Sequence, residues 1–349
     1  MKTRLLVLTL ALALTLSLLP PALAADTGYT DIPQGHWSAE SVRRATELGL
    51  FQGVGGGQFG RGQSITRAAF VTALVRLFGW EAVSPPQPTF TDVGRERWFY
   101  TAVETACANG AVLSAERAFR PTDSITREEM AVMLVRSLGY ASLAGSAADY
   151  GSPFTDVTVN RGFITLAYDL GIVSGVGDGR FAPDATATRE QAAAMLVRLY
   201  ERYYAASQPV ASTSSAPRLT VATPEATLVS GLPTTPLEPI AQLYDVLRRA
   251  KGGGMDLSAA VLCLTAGGVR TVVASGQIVG TDSLTAQEVA DLLERSDTTC
   301  HYSSRYESAY CIYTPNRYQT AAVWYQSEES LAAKLQLARL FGVTHYLLT

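Results

Sequence analysis

The chain has 349 residues, a length for two or three domains, and its 47% apolar content is enough to bury real cores, which excludes disorder throughout. Only 17% of residues are charged, and 28 Lys plus Arg against 31 Asp plus Glu leave a net charge of −3, so no global basic field exists to hold nucleic acid or an anionic membrane surface. Three histidines and four cysteines (Cys107, Cys263, Cys300, Cys311) lack C-x-x-C or H-x-x-x-H spacing, which argues against zinc, against any other cofactor and against a disulfide-dense scaffold, and the low charge favours a sugar, peptide or protein partner.

Residues 1–24 read as a secretory leader, with Lys2 and Arg4 before the apolar run Leu5 to Leu19 and the small-x-small site Ala22-Leu23-Ala24. The run is about 15 residues, short of the roughly 20 a spanning helix needs, and no later stretch is longer. The expectation is an exported protein with no membrane span after cleavage. Removing two positive charges takes the net charge from −3 to −5.

An internal repeat of about 60 residues follows. Tyr29-Thr30-Asp31, Phe90-Thr91-Asp92 and Phe154-Thr155-Asp156 open three copies; Ile65-Thr66-Arg67, Ile125-Thr126-Arg127 and Ala187-Thr188-Arg189 stand later in each; and Leu-Val-Arg triplets end at Arg76, Arg136 and Arg198. A Phe (Phe59, Phe119, Phe181) precedes each Thr-Arg arginine by eight residues. The spacing predicts two helices per copy, the first carrying Val42, Ala45 and Leu48 in copy one and ending at Gly49, Gly110 or Gly171. The second starts at Thr66, Thr126 or Thr188 as N-cap, and Glu129 completes a capping box in the middle copy. Two helices cannot bury both apolar stripes alone, so the copies are expected to pack on one another.

Residues 205–236 are rich in Ser, Thr, Pro and Ala and read as an extended linker. Residues 237–349 read as an α/β unit: a helix with Ile240, Leu243, Tyr244 and Leu247, a β-rich stretch from Ala259 to Val279, a capped helix from Thr285 to Leu293, strands at Tyr310 to Thr314 and Ala321 to Tyr325, and a helix from Glu328 to Phe341.

With F-x-D-V, an L-G end, a loop such as Gly175-Val-Gly177-Asp-Gly179-Arg-Phe181-Ala-Pro183 and an I-T-R second helix, the three copies (26–84, 85–147, 148–204) resemble surface-layer homology modules over about 175 residues. The resemblance implies a mainly α region of three helix-loop-helix repeats in a pseudo-threefold bundle. It also implies a place on the Gram-positive cell wall, through binding of a secondary cell-wall polysaccharide that bears pyruvate ketals and is associated with peptidoglycan.

A pyruvate ketal is a carboxylate on a sugar ring, so its site calls for a fixed cation and a flat apolar surface. Arg67, Arg127 and Arg189 offer paired donors, with the helix N-terminus adding amides and dipole, or else they form structural ion pairs. Trp37 and Trp98 offer stacking faces or act as core lids, and Asp31, Asp92 and Asp156 accept sugar hydroxyls or brace their loops. Copy one has Ala69 and copy three Gln191 where the module motif has Glu, and Val159 falls where copy three needs its Trp. Copies one and two are therefore expected to supply the better pockets.

The run Ser308-Ala-Tyr310-Cys-Ile-Tyr313-Thr, then Val323-Trp324-Tyr325-Gln-Ser-Glu-Glu-Ser330, then Ala338-Arg-Leu-Phe-Gly342-Val, resembles the terminal part of a family-18 glycoside hydrolase barrel. That family's chemistry needs D-x-x-D-x-D-x-E, which occurs nowhere here, so a partial, degenerate barrel without catalysis is expected. A truncated barrel leaves exposed strand edges, a liability. Cys300 and Cys311 are candidates for a disulfide in an exported protein, and Cys107 reads as a small hydrophobe. The expected function is non-catalytic wall anchoring; the alternatives are a wall-active glycosidase, or a fragment of one, and a structural subunit of a surface layer.

Overall fold

The computed structural model describes residues 28–213 and 216–349; the leader expected at 1–24 lies outside them. The N-terminal region is helical. Each copy contributes a first helix (α1, Ala39–Glu47; α3, Tyr100–Ala108; α6, Arg161–Asp169) and a second (α2, Arg67–Phe78; α4, Arg127–Ser137; α7, Arg189–Tyr200). A short additional helix, α5 (Ala141–Ala147), joins copies two and three. Gly49, Gly110 and Gly171 adopt φ of 68°, 72° and 69°, the left-handed closure that a side chain resists. The hydroxyls of Thr66, Thr126 and Thr188 accept from the amides of Ala69, Glu129 and Gln191. Gln191 completes a second capping box that the expected pattern, tied to Glu129, left out. Gly162 lets α6 close on α5, because a Cβ there would overlap the Ala144 carbonyl.

The copies are joined at a central ring of backbone bonds. The Ile65 amide donates to Ala187 O (3.0 Å), the Ala187 amide to Ile125 O (2.9 Å) and the Ile125 amide to Ile65 O (3.0 Å). The first-turn amides of each second helix then reach the next copy's loop: Arg67 N to Asp123 O (2.9 Å), Arg127 N to Ala185 O (3.0 Å) and Arg189 N to Gln63 O (2.9 Å). Groups that a helix leaves unpaired are thus satisfied between copies. Phe59, Phe119 and Phe181, one per copy, are fully buried, as are Ile65, Ile125 and Ala187.

The C-terminal region is built on sheets. Four parallel strands lie in the order β1-β11-β5-β2, from Val210–Ala211 (β1), His345–Leu348 (β11), Val261–Leu264 (β5) and Arg218–Thr220 (β2). Every residue of β5 is buried, as a central parallel strand requires. Between β5 and helix α10 (Glu328–Phe341) an antiparallel sheet is inserted, in the order β7-β6-β10-β9-β8. Its strands are β6 (Gly268–Ala274), β7 (Gln277–Leu284), β8 (Thr299–Ser303), β9 (Ser308–Asn316) and β10 (Gln319–Tyr325), with helix α9 (Ala286–Leu293) between β7 and β8.

The expected linker at 205–236 is corrected here. Its described residues supply β1, β2 and a hairpin of β3 (Thr227–Val229) with β4 (Leu232–Thr234). Its Thr and Val residues suit strands, and its Pro residues stand outside the paired positions of β1 and β2, which are two and three residues long. These short strands form both edges of the parallel sheet and so limit the edges a truncated barrel would expose.

Helix α8 (Ile240–Gly252) packs on α10, and Lys334 of α10 is fully buried. Its Nζ donates to Leu237 O and Gln326 Oε1 (both 2.8 Å) and lies 3.4 Å from Glu238 Oε2. Burial pulls this ammonium down to about 8, against the opposing pull of Glu238.

Candidate functional site

The three motif arginines are turned onto neighbouring copies, Arg189 remaining half-buried. Arg67 and Arg127 are buried, and each of the three guanidinium Nε atoms donates to the carbonyl of the next copy's Phe: Arg67 to Phe119 O (2.8 Å), Arg127 to Phe181 O (2.8 Å), Arg189 to Phe59 O (2.9 Å). Nη2 of Arg127 also donates to Ser174 O (2.7 Å), and Nη2 of Arg189 to Gln52 O (2.8 Å). All three lie over aromatic rings, with Arg127 4.5 Å from the Phe181 centroid. Arg67 is also paired with Glu129, Nη1 to Oε1 at 2.7 Å. The expected amide site at these helix starts is corrected: the first two amides serve loop carbonyls in copies one and two (Arg67 N, Ala68 N, Arg127 N, Glu128 N) and the third serves the Thr cap, leaving none of those three for a ligand.

The aspartates are engaged in the same way. Asp31 accepts from the amides of Phe59 (2.7 Å), Gly60 and Arg61 (both 2.8 Å); Asp92 from Phe119 and Arg120 (2.8 and 2.7 Å); Asp156 from Phe181 and Ala182 (both 2.8 Å). Burial alone would push the Asp31 carboxyl up, but the Arg61, Phe59 and Gly60 amides together outweigh it and hold it below the ordinary value. The Asp156 carboxyl is lowered chiefly by the Phe181 amide. Each carboxylate thus clamps the loop on which the motif Phe is carried.

The tryptophans stand apart from this bracing. Trp37 is 58% exposed and Trp98 69%, each just before its copy's first helix, and Val159 takes the corresponding place in copy three at 62%. Exposed indoles of this size present the flat apolar faces a sugar ring packs on. At the joint of copies one and two lies a cavity of about 260 Å³, lined by Arg67, Glu116, Arg120, Glu128, Glu129 and Arg136 among others. Arg120 pairs with Glu129 and lies 3.7 Å from Asp123, while Arg136 rests over the Phe163 ring and has no acid within ion-pair reach among the described residues. The sequence signal for Arg136 was present in the repeated Leu-Val-Arg triplet; Arg120 has none, since copy three has Ala182 in its place.

Cys300 and Cys311 face each other in register across β8 and β9, and both are free thiols, so the expected disulfide is not formed. Cys311 is buried, and burial, then Cys300, raises its thiol to about 11, which keeps it protonated and a poor nucleophile. No group of three or more His, Cys, Asp or Glu suited to a metal occurs among the described residues, and no helix among them is long and apolar enough to cross a membrane.

Residues 28–71, 89–131 and 153–193 each match the S-layer homology domain. It is 31% identical over 205 residues to an endoglucanase of Bacillus sp. (strain KSM-635), covering 55% of this chain and 22% of that protein. It is 36% identical over 135 residues to the surface layer protein of Brevibacillus choshinensis, covering 38% of this chain and 12% of that protein. The chain thus spans about a fifth or less of the length of these relatives. Among solved structures, the spore cortex-lytic enzyme SleL of Bacillus megaterium overlaps 38% of this chain and 36% of its own, with 16% identity and a TM-score of 0.31.

Proposed function

We propose that the protein is a non-catalytic cell-surface protein of a Gram-positive-type bacterium, held to the wall by its three S-layer homology domains. The ligand in this reading is an anionic secondary cell-wall polysaccharide, with pyruvate ketals as the charged groups. The observation that carries it is the exposure of Trp37 and Trp98 on a body whose other motif residues are spent on bracing. The ring of bonds through Ile65, Ile125 and Ala187 supports a pseudo-threefold bundle, and avidity from several imperfect sites on one rigid body would give the grip.

The motif arginines and aspartates act in this account by fixing the loops, while Arg120 and Arg136 at the joint of copies one and two meet the carboxylate. The parallel strands β5 and β11, linked through α10, support reading the C-terminal unit as a reduced hydrolase barrel. With no D-x-x-D-x-D-x-E in the chain, that unit is assigned no turnover. Sedimentation with purified cell walls tests the reading: Trp98→Ala is expected to weaken binding with an unchanged helical CD spectrum. Full binding by that variant would overturn the stacking role.

A further inference from the structure

Copy three and helix α8 enclose between them an open cavity of about 550 Å³. Arg198 of α7 lines it from the repeat, and Arg248 and Lys251 line it from the C-terminal unit. Arg202 stands nearby, and Lys251 is lowered first by burial and then by the like charge of Arg202. The acid of this cluster is Asp169, whose Oδ2 accepts from the Tyr244 hydroxyl (2.5 Å) and from Arg248 Nε (3.0 Å). Lys251 Nζ binds the main-chain carbonyl of Asp169 (2.6 Å), not its carboxylate. Among the described residues the Arg198 guanidinium makes one hydrogen bond, 3.4 Å to Ser174 Oγ, and neither it nor Lys251 has an acid within ion-pair reach.

Four cations therefore gather around one carboxylate in a chain whose net charge is −3. Like charges so grouped favour an anion, and guanidinium with ammonium matches a carboxylate or phosphate. The cavity is far larger than a bare ion needs and falls in the range of organic-ligand pockets. Tyr168 on its wall is 41% exposed and packs on Phe154 at 79°, so its ring remains open to a sugar. We propose that this junction binds one acidic sugar unit, with its anionic group between Arg198 and Lys251 and its ring against Tyr168. The inference rests on the wall-glycan reading above and adds to it that the C-terminal unit takes part in glycan binding.

Saturation-transfer NMR on the full chain, which detects millimolar binding, tests it with glucuronate, glucose 6-phosphate and glucose as probes. The expected result is binding of at least one acidic probe, the two arms telling carboxylate from phosphate, with none for glucose. Arg198→Gln with Lys251→Gln should weaken that binding at least tenfold, and Arg198→Lys with Lys251→Arg, which keeps both charges, should retain most of it. Absence of binding by both acids, or equal binding by the Gln pair, overturns the junction site. Wall sedimentation of the same samples separates the two readings: walls bound without acidic-sugar binding removes the junction alone, and acidic-sugar binding without wall association removes the anchoring reading alone.

Discussion

The carboxylates that brace the helical body and two ionisable groups in the C-terminal unit answer to opposite influences. In the helical body, acids are spent on backbone amides and on arginines at the joints between copies, so ionisation is favoured: Asp31, Glu129 and Asp156 are all lowered. At Glu307 and Lys334 in the C-terminal unit, burial wins. Glu307, bonded by the Tyr302 hydroxyl at 2.7 Å, is raised by burial and then by Glu329, and Lys334 is pulled down to about 8. Ordering loops with ionised side chains gives a body whose outer aromatics are free for a ligand, whereas the buried Lys334 ties α10 to the segment that leads into α8.

Four experiments sharpen this contrast, from the largest effect to the smallest. Removing both indoles, Trp37→Ala with Trp98→Ala, should lower wall binding by about fivefold or more at constant CD signal, because two stacking contacts at about 0.5–1.5 kcal/mol each are lost. Unchanged sedimentation would move the site elsewhere. Glu129→Gln should lower stability by about 1–3 kcal/mol in denaturant titration: Gln191 shows that the cap survives in Gln, while the buried Arg67 loses its ion partner. No loss in Glu129→Gln beside a clear loss in Glu129→Ala would assign the effect to the cap.

Acid should divide the halves. The lowered carboxyls Asp31, Glu129 and Asp156 contribute stability present above their ordinary values of 3.8 and 4.5 and lost as pH falls through their lower folded values. Raised Glu307 does the reverse, contributing stability below 4.5 that is lost as pH rises toward its folded value. Hydrogen exchange followed by region should therefore show the C-terminal sheet tightening on mild acidification and the helical body loosening only below about pH 4.5. Uniform loosening would contradict the contrast. The smallest effect concerns Lys334. Its folded value near 8 lies below 10.5, so the unfolded chain binds more protons between them, and Lys334 should add stability as pH rises from about 8 toward 9, the ordinary value above which the raised Cys311 acts in the opposite sense. Lys334→Met should flatten this slope.

The sequence carried the helical body well because its signals are local and repeated: Thr66, Thr126 and Thr188 cap helices where expected, and Gly49, Gly110 and Gly171 close them. The repeat singles out candidate residues but not the direction in which they point. Whether Arg127 faces ligand or the Phe181 carbonyl 54 positions away is a long-range matter that spacing does not encode. The strands within 205–236 are hidden in the sequence for a similar reason, since β1 pairs with β11 and β2 with β5 across large separations, and Ser, Thr and Pro composition says nothing of such partners. The burial of Lys334 depends on Leu237 and Gln326, which the fold brings around it.

The central claim, anchoring through a wall polysaccharide, is tested most directly by sedimenting the full chain with intact bacterial cell walls and with the same walls stripped of their secondary polysaccharide by hydrofluoric acid. The account predicts strong binding to the intact walls and its loss on stripping. Equal binding to bare peptidoglycan, or none to either, would contradict it.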